Sequence, residues 1–189
     1  MASAFGHALS SIAISTFFPK RYVNSVKVIL LCIICAIFPD ADVLAFKFNI
    51  PYSHPFGHRG FTHSIFFALL FGILVRWVFC SDVPRGSRKG WLLILLFFLC
   101  TASHGLLDAM TTGGRGVAFF GPFDNTRHFM PDAWRVIKVS PLSAARFFSE
   151  WGLRVIKSEL VWIGIPSVVV IVFNWGRRKV RSNREKSKN

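Results

Sequence analysis

Residues 91–108 read WLLILLFFLCTASHGLLD, an unbroken apolar run that changes to small polar residues and closes on His104 and Asp108. A run of this length fits the ~20 residues that a helix needs to cross the hydrocarbon layer of a membrane. His104 and Asp108 are four apart, so on a helix their side chains share one face, one turn apart. Ionisable groups beside so long an apolar run are costly unless paired, hydrated or bound to a cation. The stretch therefore predicts both a membrane helix and a polar site at its end.

Four more apolar segments lie outward from it, at about Ala4 to Phe18, Tyr22 to Phe38, Thr62 to Cys80 and Leu160 to Trp175. The third and fifth of the five are long enough to span, the second is borderline and the first is short. Hydrophobic residues make up 52% of the 189 and charged ones 17%, with 21 Phe and 6 Trp, which leaves too little polar cover for a soluble domain. The expected fold is an all-α, polytopic membrane bundle of four or five transmembrane helices over residues 1–176, followed by a disordered basic tail at 177–189. The first segment lacks a basic region before it and carries His7, so it does not read as a cleaved signal peptide.

A net charge of +14 raises the question of nucleic acid, but the basic residues fall between apolar runs and in the tail, not in one stripe beside aromatic platforms. No specific nucleic-acid partner is expected. If all five segments cross, the turn after the first, the loop with Arg85, Arg88 and Lys89 together with nearby Arg76, and the tail share one side and hold 14 of the 23 Lys and Arg. The positive-inside rule makes that side cytoplasmic, with the tail as a topology anchor that touches membrane lipid. Cys32, Cys35, Cys80 and Cys100 lie within or at the ends of apolar runs, where a free thiol behaves as a small hydrophobe.

On that topology every unusual polar residue falls on the opposite, non-cytoplasmic side. His7 opens the first segment, Asp40 and Asp42 follow the second in FPDADVLAF, His58 and His63 precede the third in GHRGFTHS, and His104 and Asp108 end the fourth. Nothing in the choice of segments forces this coincidence, and it predicts that they meet. Pro39 holds the two aspartates at a helix end, Gly57 and Gly60 allow tight turns, and Thr62 is the natural cap for a helix beginning at His63. Imidazoles mixed with carboxylates suit a divalent metal ion, zinc first, with manganese or iron as alternatives. An open coordination position would activate water, making hydrolysis the natural reaction class. Asp40 or Asp42 is the candidate general base, and Arg59 and Arg115 are candidates to neutralise an anionic substrate.

The order GHALS, FPDAD, GHRGFTHS and HGLLDAMTTGG among hydrophobic helices resembles the YdjM-like family of bacterial inner-membrane proteins, described as membrane-bound metal-dependent hydrolases. The resemblance covers roughly Phe5 to Pro131 and is most specific in GHRGFTHS. It implies that His7, Asp40, Asp42, His58, His63, His104 and Asp108 form the metal site, and it is the main reason to include His7. Family members often carry D-x-D-H after the second helix; here Val43 follows Asp42, which removes one histidine.

The functional expectation is a hydrolase for an ester or phosphoester, a small molecule or a lipid or envelope-derived substrate, in the inner membrane. The alternative is a non-catalytic membrane protein, an ion transporter or an assembly partner, that uses the cluster as a relay or a lock. His54 and His128 are expected outside the site. The segment GPFDNTRHFMPDAW, with Asp124, Asp132, Phe129 and Trp134, reads as an interfacial lid.

Overall fold

The computed structural model describes residues 1–141 and 149–186. Helix α1 spans Ala4–Ser15, the one-turn α2 Lys20–Val23, α3 Val26–Ile37, α4 Ile65–Phe79, α5 Arg88–Ala109, α6 Glu150–Glu159 and α7 Ile165–Lys186. Tighter 3-10 helices run over Phe38–Phe48, Phe61–His63 and Asp132–Trp134, and a wider π turn, Leu160–Gly164, joins α6 to α7. Among the described residues no strand forms, only isolated bridges of Thr111 to Ile137 and Val117 to His128. The fold is all-α, as the sequence indicates.

Serines set three of the helix starts. The hydroxyls of Ser3, Ser64 and Ser87 accept from the N–H groups of Gly6, Phe67 and Gly90, satisfying first-turn donors that have no partner inside the helix. Thr62, expected as the cap of the fourth segment's predecessor in the bundle, does not have that role. Ser64 caps instead, the helix begins at Ile65, and Thr62 is free to face the polar site.

Among the described residues three helices have the length and composition to cross a membrane: Val26–Phe48, Arg88–Ala109 and Glu150–Arg181. Ala4–Ser15 and Ile65–Phe79 are apolar but shorter. The borderline Tyr22 to Phe38 segment thus gains length, because Pro39 ends the α-helix without ending the helical course and the chain continues as a 3-10 helix. The Thr62 to Cys80 segment loses length to its late start. At 1.5 Å per residue α4 is about 22 Å long, short of a ~30 Å hydrocarbon core.

Helix α5 packs against α1, α3 and α4. A Cβ at Gly72 of α4 would lie 2.8 Å from the backbone N of Phe98, so the missing side chain lets these two helices touch backbone to backbone. The core between the helices includes Leu31, Cys32, Cys35, Val75, Leu93, Leu96, Phe97 and Cys100, all buried. All four cysteines are free and buried, in keeping with their reading as small hydrophobes. Outward-facing Leu30, Ile34, Leu69, Leu74, Trp77 and Leu95 stay exposed, an apolar coat that fits a lipid solvent. Helix α7 fastens onto α1, where Asn174 Nδ2 donates to Thr16 Oγ1 at 2.9 Å and Arg178 to the carbonyls of Thr16 and Phe18. Helix α7 runs on into the basic segment as far as Lys186; lysine and arginine are good helix formers and favourable at a helix C-terminus. Residues 187–189 lie outside the described residues.

Candidate metal centre

At one end of the bundle the chain gathers His7 from α1, Asp40 and Asp42 from the 3-10 turn after α3, His58, Arg59 and His63 from the loop before α4, and His104 and Asp108 from the last turns of α5. His7, His104 and Asp108 have no exposed surface, and His63 is 4% exposed. Asp40 keeps 11% of its side chain exposed.

The loop Gly57–Ser64 is folded tightly enough to require its glycines. A Cβ at Gly57 would lie 2.3 Å from the Pro51 carbonyl oxygen and one at Gly60 2.1 Å from that of Pro55. Between them Arg59 adopts a left-handed backbone, φ 62°. Arg127 clamps the loop from outside, donating to the carbonyls of His58 at 2.9 Å and Tyr52 at 2.6 Å and lying over the Tyr52 ring. Residues 111–137 close over the loop, with Ala118 N–H donating to the Arg59 carbonyl and Ile65 N–H to that of Phe119, both at 3.0 Å.

One atom each from Asp40, His63, His104 and Asp108 forms a group whose members all lie within 4.8 Å of one another. His104 Nε2 is 3.0 Å from His63 Nε2 and 3.3 Å from Asp40 Oδ1. His63 Nε2 is 3.6 Å from Asp108 Oδ2 and 3.7 Å from Asp40 Oδ1. Two ligands bonded to a tetrahedral zinc at its usual lengths sit ~3.3 Å apart, so these separations match the edges of such a shell. Asp40 Oδ1 and Asp108 Oδ2 are buried without a hydrogen-bond partner among the described residues, as a donor set for a cation requires.

The far sides of the rings fix their tautomers. His104 Nδ1 is 2.7 Å from the Ala36 carbonyl, which can only accept, so that nitrogen carries the proton and Nε2 presents a lone pair. His63 Nδ1 faces Asp42 Oδ2 and the Thr62 hydroxyl, each at 3.1 Å, while Thr62 donates to the same carboxylate oxygen at 2.6 Å. His63 is thus oriented in the same sense. Two lone pairs 3.0 Å apart repel, and a positive centre between them, a proton or a metal ion, removes the conflict. Burial alone would lower the His63 pKa, but Asp108, Asp40 and Asp42 outweigh it and push it up to about 10.

The remaining predicted residues surround this group. Asp42 takes His58 Nδ1 at 2.6 Å, the Arg59 N–H at 3.1 Å and Thr62, so its oxygens already have partners; Asp42, His58 and His63 form a second set of mutually close ligand atoms. His7 stacks on His104 with centroids 3.8 Å apart, its Nε2 3.6 Å from Asp108 Oδ1, and lies in neither set. Arg59 is turned inward: Nε is 2.9 Å from Asp108 Oδ2, off the line of a good hydrogen bond, while its terminal nitrogens donate to Gly113 O and Thr111 Oγ1. Arg115 is exposed, beside Tyr52. His54 is exposed, and His128, Asp124 and Asp132 also stand apart from both sets.

Several participants carry no readable signal in sequence. The Ala36 carbonyl belongs to backbone. Gly105 looks like an ordinary helix glycine, yet a Cβ there would lie 2.8 Å from the His63 carbonyl oxygen, so its absence lets the loop meet α5. Glu159 accepts from both the N–H and the hydroxyl of Ser3, and the Ala2 N–H donates to Asp108 Oδ1 at 2.8 Å, tying the start of the chain into the site.

No solved structure matches the chain. Over 147 residues, 78% of this chain and 82% of the relative, it is 42% identical to the inner membrane protein YbcI of Escherichia coli strain K12. The sequence model of the YdjM inner membrane proteins matches residues 1–179, and with apolar helices able to span a bilayer and a buried His/Asp group fit for a metal ion, the chain belongs to the YdjM inner membrane protein family.

Proposed function

We propose that the protein is a membrane-embedded, metal-dependent hydrolase acting on an ester or phosphoester, with a lipid or envelope-derived molecule as substrate. The observation that carries this reading is the pair of Nε2 lone pairs, on His63 and His104, aimed at one point between two carboxylate oxygens, Asp40 Oδ1 and Asp108 Oδ2, that accept no hydrogen bond among the described residues. His63, His104, Asp40 and Asp108 are the ligands, and zinc suits them best, with manganese or iron next. An ion held there would supply Lewis acidity to a scissile carbonyl or phosphoryl group and acidify water.

The chain's own residues do the rest. Asp42 holds His63 through Nδ1 and steadies His58, the arrangement by which a carboxylate behind a metal-bound imidazole fixes its orientation. Arg59 balances the charge of Asp108 and braces it against Thr111 and Gly113, a positioning part rather than a substrate contact. Asp40, the ligand with exposed surface, marks the side from which substrate and water reach the site, and its second oxygen is the candidate to accept a proton from attacking water. The basic loops and C-terminal helix face the cytoplasm and the site faces away from it.

A second reading, a structural metal lock, draws support from the near-complete burial of three of the four ligands. Transport has less support. Below the site, the hydroxyls of Ser11, Ser15 and Thr101 are turned onto carbonyls of their own helices and an apolar cluster packs beside them, so these hydroxyls form no relay among the described residues. The deciding experiment is turnover of fluorogenic carboxylic ester and phosphodiester probes by detergent-purified protein, stripped and then reloaded with zinc, manganese or iron. Hydrolysis that returns with metal and is lost in Asp40→Ala supports the enzyme. Metal that raises thermal stability with no metal-dependent turnover of either probe leaves the lock.

A further inference from the structure

The opposite end of the bundle holds a cleft of about 270 Å³ that the metal chemistry does not use. Three cations from three elements line it: Arg21 of α2, Lys27 of α3 and Lys89 of α5, against one carboxylate, Asp82. Among the described residues no ion pair joins Arg21, Lys27 or Lys89 to a carboxylate, whereas elsewhere Arg59 pairs with Asp108 and Arg135 with Asp132. The wall is also built to stay in place. Arg76, 3% exposed near the end of α4, donates to the carbonyls of Val83 and Pro84 and fixes the 80–84 turn that borders the cleft.

The start of α3 opens on the same space. Ser25 occupies its N-cap position with extended backbone, but its hydroxyl does not cap the first turn, in contrast to Ser87 at the start of α5. Ser25, Lys27 and Val28 all line the cleft. The start of α3, the positive end of its helix dipole and without a side-chain cap, therefore borders the space that the three cations line. Each feature alone is ordinary, and basic residues at this end are what topology demands. Their convergence on one concave pocket from three separate elements is not demanded by topology.

We propose that this cleft binds a phosphate group, and its place at the basic end of a membrane bundle favours a phosphate carried on an anionic lipid headgroup. Basic pockets between membrane helices on the cytoplasmic side recognise such headgroups by the same means. The tyrosine beside it, Tyr22, with Arg21 over its ring at 4.9 Å, supplies the amphipathic edge common at a membrane interface.

The test is native mass spectrometry of the detergent-purified full chain titrated with phosphatidylglycerol or phosphatidylcholine, with inorganic phosphate as competitor. The wild type is expected to take phosphatidylglycerol in preference to phosphatidylcholine. Lys27→Ala with Lys89→Ala should weaken that binding about tenfold or more, whereas Arg177→Ala with Lys179→Ala, equal in charge but outside the cleft, should change it less than about twofold. Unchanged metal content reports that the double variant is folded. Lys27→Arg with Lys89→Arg should restore binding. Displacement of the lipid by millimolar phosphate would keep the site and assign it to soluble phosphate. Equal binding of the two lipids by the wild type, or equal losses in the two double variants, would overturn the proposal.

Discussion

His63 Nε2 and His104 Nε2 stand 3.0 Å apart, each on a ring whose other nitrogen faces an acceptor. Neutral rings so oriented would repel, so the pair is stable only around positive charge. In the metal-free protein that charge is a proton on His63. A metal ion bound there would take the place of that proton.

The proton has a consequence for pH. With burial opposing and Asp108, Asp40 and Asp42 outweighing it, the His63 pKa lies at about 10, above the ordinary value of 6.5. A raised folded-state pKa contributes stability that is fully present below 6.5 and is lost as pH rises through about 10. Chelator-treated protein should therefore melt at progressively lower temperature between pH 7 and pH 10, and zinc should flatten that slope by replacing the proton. Thermal melts in detergent with and without zinc check this; identical slopes in both would count against a shared position for proton and metal.

Asp42 tests the support behind the site. Its carboxylate faces His63 Nδ1 and His58 Nδ1 and accepts from Thr62, so Asp42→Asn keeps the volume but places a donor where an acceptor is needed. Metal affinity should fall by about 10- to 100-fold, the usual cost of losing such a partner, with the helical content unchanged. Competition against a calibrated chelator measures it, and an affinity within about twofold of wild type would show that Asp42 does not orient His63.

Gly105 tests the approach of loop to helix. A Cβ 2.8 Å from the His63 carbonyl cannot be accommodated without movement, so Gly105→Ala should destabilise the protein by about 1–3 kcal/mol and reduce metal binding together. Gly176→Ala on α7 meets nothing within 4 Å and should be neutral or slightly stabilising, since alanine is the better helix former. Equal behaviour of the two variants in thermal melts would remove the packing argument.

These residues also mark what sequence can and cannot carry. The i, i+4 spacing of His104 and Asp108, the glycines of GHRGFTHS and the single-sided fall of the polar residues are properties of order and periodicity, and the structure brings those residues together. The separate parts of Asp40 and Asp42 were not legible, because two carboxylates in one short run look alike until their partners from other elements are known. Thr62 was misread for a local reason: it is a good cap by type, but Ser64 lies closer to the true start of α4 and leaves the Thr62 hydroxyl for Asp42. The course begun by α3 gained length because a proline can pass an α-helix into a tighter one, which hydropathy does not register, and α4 lost length to its start at Ile65 behind the Ser64 cap. Contacts made through backbone, Ala36 to His104 above all, leave no trace in side-chain identity.

The central claim is that one cation sits among His63, His104, Asp40 and Asp108, and elemental analysis tests it most directly. Protein purified in detergent, stripped, reloaded with zinc and freed of excess should hold about one ion per chain, while His63→Ala and His104→Ala hold less than about a tenth of that. Wild-type protein that retains no more metal than the two variants would contradict the account.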